Sequence, residues 1–245
     1  MNNPNRYFIA DIHLTDNQPD ITAGFLSFLD TLPDHCELYI LGDLFDYWVG
    51  DDVNSTLHQQ VAGALHSLTN RHIKKYFVHG NRDFLLGKQF AKSCDMTLLT
   101  DINCLTKPNK NIVFLHGDLL CSDDPQYLKF RKIMHCKWLQ KLFLCLPLFI
   151  RLKIAAKLRQ KSSQHNQIKS EAIMDVNQQS VINMMVKYNA DTMIHGHTHK
   201  PATHTFLIND EPVSRIVLSA WHDGISYIKQ ECNSSDIILY NHCCK

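Results

Sequence analysis

The stretch ADTMIHGHTH, Ala190 to His199, runs from apolar residues into three histidines separated by single residues. ADTMI reads as a short buried strand, and Gly196 just beyond it lets the backbone turn sharply or approach a neighbour closely. Histidines at the end of such a strand share one space, whereas on a helix they would scatter around the axis. Neutral imidazole is the commonest protein metal ligand, so this geometry suits a metal. A polar turn is the competing reading, because 15 of the 245 residues are histidine and some clustering follows from abundance alone. The rest of the chain must decide between them.

Working outward, the same pattern recurs. RYFIA precedes DIH, LYIL precedes GD, KYFV precedes HGN, and NIVFL precedes HGD. These runs are rich in β-branched and aromatic residues, as buried strands are. Between them Leu57, Val61, Ala64, Leu65 and Leu68 follow one helical face with Ser55 as N-cap, and Asp20 is expected to cap a helix through Ile21, Phe25, Leu26 and Leu29. RIVLSAW and DIILY supply late strands. Strands alternating with helices predict an α/β domain whose site gathers at the carboxyl ends of the strands.

At 28.3 kDa the chain can bury a full core, and its length fits one large domain or a domain with an insertion. Nine cysteines at irregular spacing, with no C-x-x-C pair, read as free thiols in a reducing compartment. The start MNNPNRYFIADIHL lacks the basic opening and long apolar core of a signal peptide, so a cytoplasmic protein is expected. Formal net charge is only +1, but 11 of the 25 Lys and Arg fall between Pro125 and Ser170, where there is no Asp or Glu. This basic module contains the apolar run LFLCLPLFI, Leu142 to Ile150, far short of the about 20 residues that span a bilayer. It can lie in a membrane interface, line an apolar pocket, or simply pack on the domain as a pair of helices. The missing acids favour an anionic partner.

Taken together, the strand ends offer Asp11, His13, Asp43, Asn81, His116, His197 and His199. Two carboxylates, one amide and four imidazoles suffice for two divalent metals if one carboxylate bridges them. Oxygen and nitrogen donors without thiolate suit Mn²⁺ or a similar first-row ion. Each fragment alone is commonplace; five in fixed order, each after an apolar run, are not. DIH, GDLFD, GNRD, HGD and GHTH together resemble the calcineurin-like metallophosphoesterases, over nearly the whole chain. The resemblance implies a β-sandwich flanked by helices. It also implies Asp11, His13, Asp43 and His199 on one metal ion, with Asp43, Asn81, His116 and His197 on a second, Mn²⁺ being the expected ion and Mg, Co or Fe the alternatives. Paired ions about 3.5–4 Å apart activate water and hold a phosphoryl group for in-line attack. His195 matches no ligand position and is expected to have a supporting or structural role. Arg82 stands where many members have a histidine acid; its fork suits phosphate oxygens.

LGDLFDYWVGDD, HGNRDFLLGKQFA, HGDLLCSDDPQY, SEAIMDVNQ and IHGHTHKPA look more specifically like the UDP-2,3-diacylglucosamine diphosphatases of lipid A synthesis. That likeness implies Asn81, Arg82 and His116 as catalytic groups. Its substrate contacts map to Asn81, Arg82, Asp124, Ser162, Asn166, Lys169 and His197, with a helical lid over about 124–170 that holds acyl chains. The implied substrate is an acylated UDP-sugar, met as a monomer at the cytoplasmic face of the inner membrane without nucleic acid. A nuclease on the same metal scaffold is the enzymatic rival, although nucleic-acid grooves interleave aromatics with basic residues and this apolar run is mostly aliphatic. A scaffold that binds without catalysing is the other, and it would be expected to lack ligand positions.

Overall fold

The five apolar runs that precede chemically active residues all form strands, and two sheets collect them. The computed structural model describes residues 4–53, 55–106, 111–168, 175–231 and 236–242, without the side chains of 160–168 and 242. In the first sheet β1 (Arg6–Ile9), β2 (Glu37–Ile40), β3 (Lys74–Phe77) and β4 (Met96–Leu98) run parallel. Antiparallel β10 (Ile225–Gln230) and β11 (Ile237–His242) extend it beyond β1. The second sheet has the order β5 (Ile102–Leu105), β6 (Ile112–Leu115), β7 (Thr192–His195), β9 (Glu211–Val217), β8 (Ala202–Ile208).

The side-chain period of two sorts each strand between layers. Phe8, Tyr39, Leu41 and Val78 meet Phe114, Ile194, Ile216 and Leu218 between the sheets. There the Phe8 ring stacks on Tyr39 at 4.9 Å and meets Phe114 edge-on at 5.7 Å. The alternate residues Tyr7, Ile9, Leu38 and Ile40 face outward, in one cluster with residues of α1 (Pro19–Thr31), α2 (Thr56–Ser67) and α3 (Lys88–Ser93). On the far side Val113, Leu115 and Met193 pack with Val181 and Met185 of α7 (Gln178–Lys187). The result is the expected β-sandwich flanked by helices.

Ser55 caps α2, its hydroxyl accepting from the His58 amide at 3.1 Å. Asp20 does not cap α1. That helix starts one residue earlier at Pro19, whose fixed φ and missing N–H suit a first helical position, and Asp20 sits in the first turn. The acid-free stretch folds as three helices rather than two: α4 (Pro125–Met134), α5 (Lys137–Leu144) and α6 (Leu148–Ile168). Pro147 falls at the break between the last two, where it costs no helical hydrogen bond. These helices are lashed to the sandwich by arginines. Arg151 forks onto Asp52 and donates to the Val49 carbonyl at 2.6 Å, Arg159 pairs with Asp46, and Arg131 pairs with Asp118 and Asp101. Among the described residues no helix is long and apolar enough to cross a membrane.

Candidate metal centre

Asp11 and His13 follow β1, Asp43 follows β2, Asn81 follows β3, His116 follows β6, and His197 and His199 follow β7. The loops are stitched together by main-chain bonds: Asp11 N–H donates to Gly42 O at 3.1 Å, His13 N–H to Asp43 O at 2.9 Å and Gly196 N–H to His116 O at 2.8 Å. Five of the seven side chains hang from residues in left-handed backbone, with φ of 55° at Asp11 and His13, 54° at Asp43, 70° at His197 and 56° at His199. Each costs on the order of 1–3 kcal/mol, and such strain concentrates where function dictates geometry. Two glycines permit the close approach of the loops. A Cβ at Gly80 would collide with the Asp43 carboxylate, and one at Gly196 would collide with that of Asp11.

The side chains converge as two adjoining groups. His13 Nε2 lies 3.4 Å from His199 Nε2, which lies 3.4 Å from Asp11 Oδ1. Asn81 Oδ1 lies 2.9 Å from both His116 Nε2 and His197 Nδ1. Asp43 stands between them, its Oδ2 3.8 Å from His116 Nε2 and 3.9 Å from His13 Nε2. Asp11, Asp43 and His116 each direct a donor atom to within 4.8 Å of the others, as do Asp11, His13 and His199.

These residues fit divalent cations. Asp11 Oδ1 is buried without a hydrogen-bond partner, which is costly unless a cation answers it, and His13 turns its Nε2 toward the same space. His116 Nδ1–H donates to the Leu41 carbonyl at 2.8 Å, so a neutral ring presents a lone pair from Nε2 toward the oxygens of Asn81 and Asp43. Without an ion an added proton must take that place: burial opposes the charge, but Asp43, Asp11 and Asp118 outweigh it and raise the His116 pKa to about 9. Burial, reinforced by Asp83 and Asp11 against the pull of His116, raises the Asp43 pKa to about 7. Asp11 is held below the usual carboxylate range because His199, His116 and His13 overcome its burial. Burial lowers His197 to about 4, with His116 adding to the effect, so its ring is neutral and able to ligate.

A cavity of about 360 Å³ opens beside this cluster at Asn81 and Arg82. Trp48, Phe84, Phe130, Phe143 and Leu158 give it apolar walls, and Arg82, Arg131 and Arg159 line it with positive charge. The Arg82 main chain is fixed at both ends, its N–H donating to Asp43 Oδ1 at 2.8 Å and its carbonyl accepting from Trp48 N–H at 3.0 Å. Asp124 lines the cavity and caps α4 through the Tyr127 amide at 3.0 Å. Ser162 and Asn166 fall within α6 with their side chains outside the described residues, and Lys169 lies outside them altogether.

Residues 5–201 match the family described as calcineurin-like phosphoesterase. The chain belongs to that family. Among curated relatives of this phosphoesterase, the UDP-2,3-diacylglucosamine hydrolase of Proteus mirabilis (strain HI4320) is 52% identical over 95% of this chain and 98% of its own. The protein of the same name from Photorhabdus laumondii is 51% identical with the same coverage. That of Escherichia coli O127:H6 is 48% identical, again over 95% and 98%.

Sequence reasoning assigned this phosphoesterase no role for two buried aspartates that the structure makes prominent. Asp83 accepts from Gly80 N–H at 2.9 Å, Asp43 N–H at 3.2 Å and Leu44 N–H at 2.7 Å, and so locks two ligand-bearing loops together. Asp118 accepts from Tyr127 Oη at 2.9 Å and Arg131 Nε at 2.5 Å, docking α4 beside His197. Both belong to motifs already singled out, GNRD and HGD, and a carboxylate fixed by position beside each ligand was the available signal. Arg131 and Arg159 were counted in the basic module, but periodicity could not point them inward.

Proposed function

We propose that this phosphoesterase hydrolyses the pyrophosphate of UDP-2,3-diacylglucosamine to UMP and 2,3-diacylglucosamine 1-phosphate. The observation that carries the proposal is the juxtaposition of a convergent metal-ligand set with an apolar, arginine-lined cavity at Asn81 and Arg82. A water-soluble phosphoester would need no such apolar walls. The names of relatives at about 50% identity point to the same substrate.

Asp11, His13, Asp43 and His199 would hold one Mn²⁺, and Asp43, Asn81, His116 and His197 a second. Bound there, the ion pair supplies an activated water and offsets phosphoryl charge. Arg82, with no side-chain hydrogen bond among the described residues, grips phosphate oxygens with its fork and neutralises their charge. The insertion over about 124–170 acts as a lid: Phe130, Phe143 and Leu158 shelter acyl chains, while Asp124 and, farther along, Ser162, Asn166 and Lys169 contact the sugar phosphate. Held this way, the lipid half points its phosphate outward as leaving group, and oxygen from water joins the phosphorus bonded to uridine. The bond from that phosphorus to the bridging oxygen breaks, and one proton is released. A sugar phosphate leaves without needing protonation, which fits an arginine at position 82.

The exposed apolar side chains of the lid, Trp138, Leu142 and Phe149 among its lysines, suit a peripheral seat on the anionic cytoplasmic face of the inner membrane. Incubation with the diacyl substrate and Mn²⁺, followed by ³¹P NMR, tests the reading. Two phosphomonoesters should appear at equal rates. Faster cleavage of RNA or DNA than of this substrate would overturn it in favour of a nuclease.

A further inference from the structure

The first histidine of IHGHTH, His195, is absent from the metal cluster, yet it is fully buried and bonded at both nitrogens. His195 Nδ1 lies 2.8 Å from Gly196 O, an acceptor, so this nitrogen carries the hydrogen. Its Nε2 lies 3.4 Å from Nη1 of buried Arg215, a donor, so that nitrogen presents the lone pair. The two contacts fix one neutral tautomer. Gly196 O also accepts from Thr198 N–H at 2.8 Å, closing a three-residue γ turn whose central residue is His197, at φ 70°. Turns of that hand are rare and strained. The strained turn aims His197 Nδ1 at Asn81 Oδ1, while the His197 amide donates to Asp11 Oδ2 at 2.7 Å. Gly117 closes over the same point, where a Cβ would lie 3.0 Å from both His195 Nδ1 and Gly196 O.

We infer that His195, oriented by Arg215, is a positioning residue that braces the γ turn carrying His197 and so tunes affinity for one of the two metal ions. The inference rests on the metal assignment above and extends it to two residues outside the ligand set. Groups that orient a ligand typically contribute 10- to 100-fold to metal affinity. What the brace requires is an N–H at the δ position. Asparagine can supply it from the same side-chain position, and leucine cannot.

The test is titration of the metal-free full chain with Mn²⁺ alone, read by calorimetry, for the wild type and for His195→Leu, His195→Asn and Arg215→Met. The wild type should take up two ions. His195→Leu should weaken one of them at least about tenfold and leave the other unchanged. His195→Asn should stay within about threefold of the wild type for both. Arg215→Met should weaken the same ion to an intermediate extent, and it carries the comparison if His195→Leu does not fold. Unchanged affinity in His195→Leu, or in Arg215→Met standing in for it, overturns the brace, as does an equal loss in His195→Leu and His195→Asn. A wild-type chain that takes up no ion overturns the metal assignment itself, and with it the brace.

Discussion

Asp83→Asn changes one atom at a fully buried carboxylate and should damage both fold and site. The carboxylate meets three amide donors; burial raises its pKa, while the Gly80 and Leu44 amides favour the ionised form. An asparagine can keep Oδ1 toward Gly80 and Asp43, but its NH₂ then faces the Leu44 N–H across 2.7 Å. One charge-assisted bond of about 1.5–3 kcal/mol is lost, and a buried donor is left unanswered at a further cost of about 1–3 kcal/mol. The sum, about 2.5–6 kcal/mol, is large against a native margin of about 5–15 kcal/mol but need not abolish folding. For a domain of this size it lowers Tm by about 10 °C. The functional effect reaches the site through Leu44, whose released amide adjoins Asp43, the residue whose carboxylate stands between the two groups of candidate ligands. Thermal melts of metal-free protein, paired with Mn²⁺ titration, read both effects. An Asp83→Asn variant that melts within about 1 °C of the wild type and binds two ions normally would refute the reasoning.

Asp118 contributes an acid-sensitive share of stability. Burial works against its ionised form, but His116, Arg131 and His197 prevail and hold its pKa to about 2, below the usual 3.8. A depressed carboxylate stabilises the fold fully above the unfolded value and loses that contribution as pH falls from 3.8 toward 2; here it is about 2 kcal/mol. Urea melts of Asp118→Asn should therefore lack that step across this pH window. Phe143→Asp, which places a charge in the cavity wall, should lower kcat/KM for the diacyl substrate about a hundredfold while a small soluble phosphodiester is turned over as before; equal losses on both would indicate a packing defect. Replacing Trp138 and Phe149, 64% and 61% exposed, with serine should cut co-sedimentation with anionic vesicles about tenfold or more and spare the soluble phosphodiester activity.

The convergence of the seven candidate ligands was legible because strand ends in an α/β fold gather on one side, and DIH, GD, GN, HGD and HGHTH each follow an apolar run. β8 was not read, because ATHTFLI carries two polar threonines and a histidine and its exposed residues face solvent at a sheet edge. Short β4 and the late β10 were missed for want of a clear apolar period. The cavity was only half legible. An apolar run in a basic module signals a lipid-facing or pocket-lining segment, but which arginines turn inward depends on aspartates elsewhere in the chain: Asp46 for Arg159, Asp118 and Asp101 for Arg131. Left-handed backbone at Asp11, His13, Asp43, His197 and His199 has only a faint sequence signature, the greater tolerance of Asp and His for positive φ. It is imposed by the crossing of loops at Gly42, Gly80 and Gly196.

Hydrolysis of UDP-2,3-diacylglucosamine in ¹⁸O-labelled water, with mass analysis of both products, tests most directly whether the cluster cleaves a pyrophosphate whose lipid half is held in the neighbouring cavity. Label should enter UMP and be absent from the 2,3-diacylglucosamine 1-phosphate. Label in the lipid phosphate, or no UMP from a chain loaded with two ions, would contradict it.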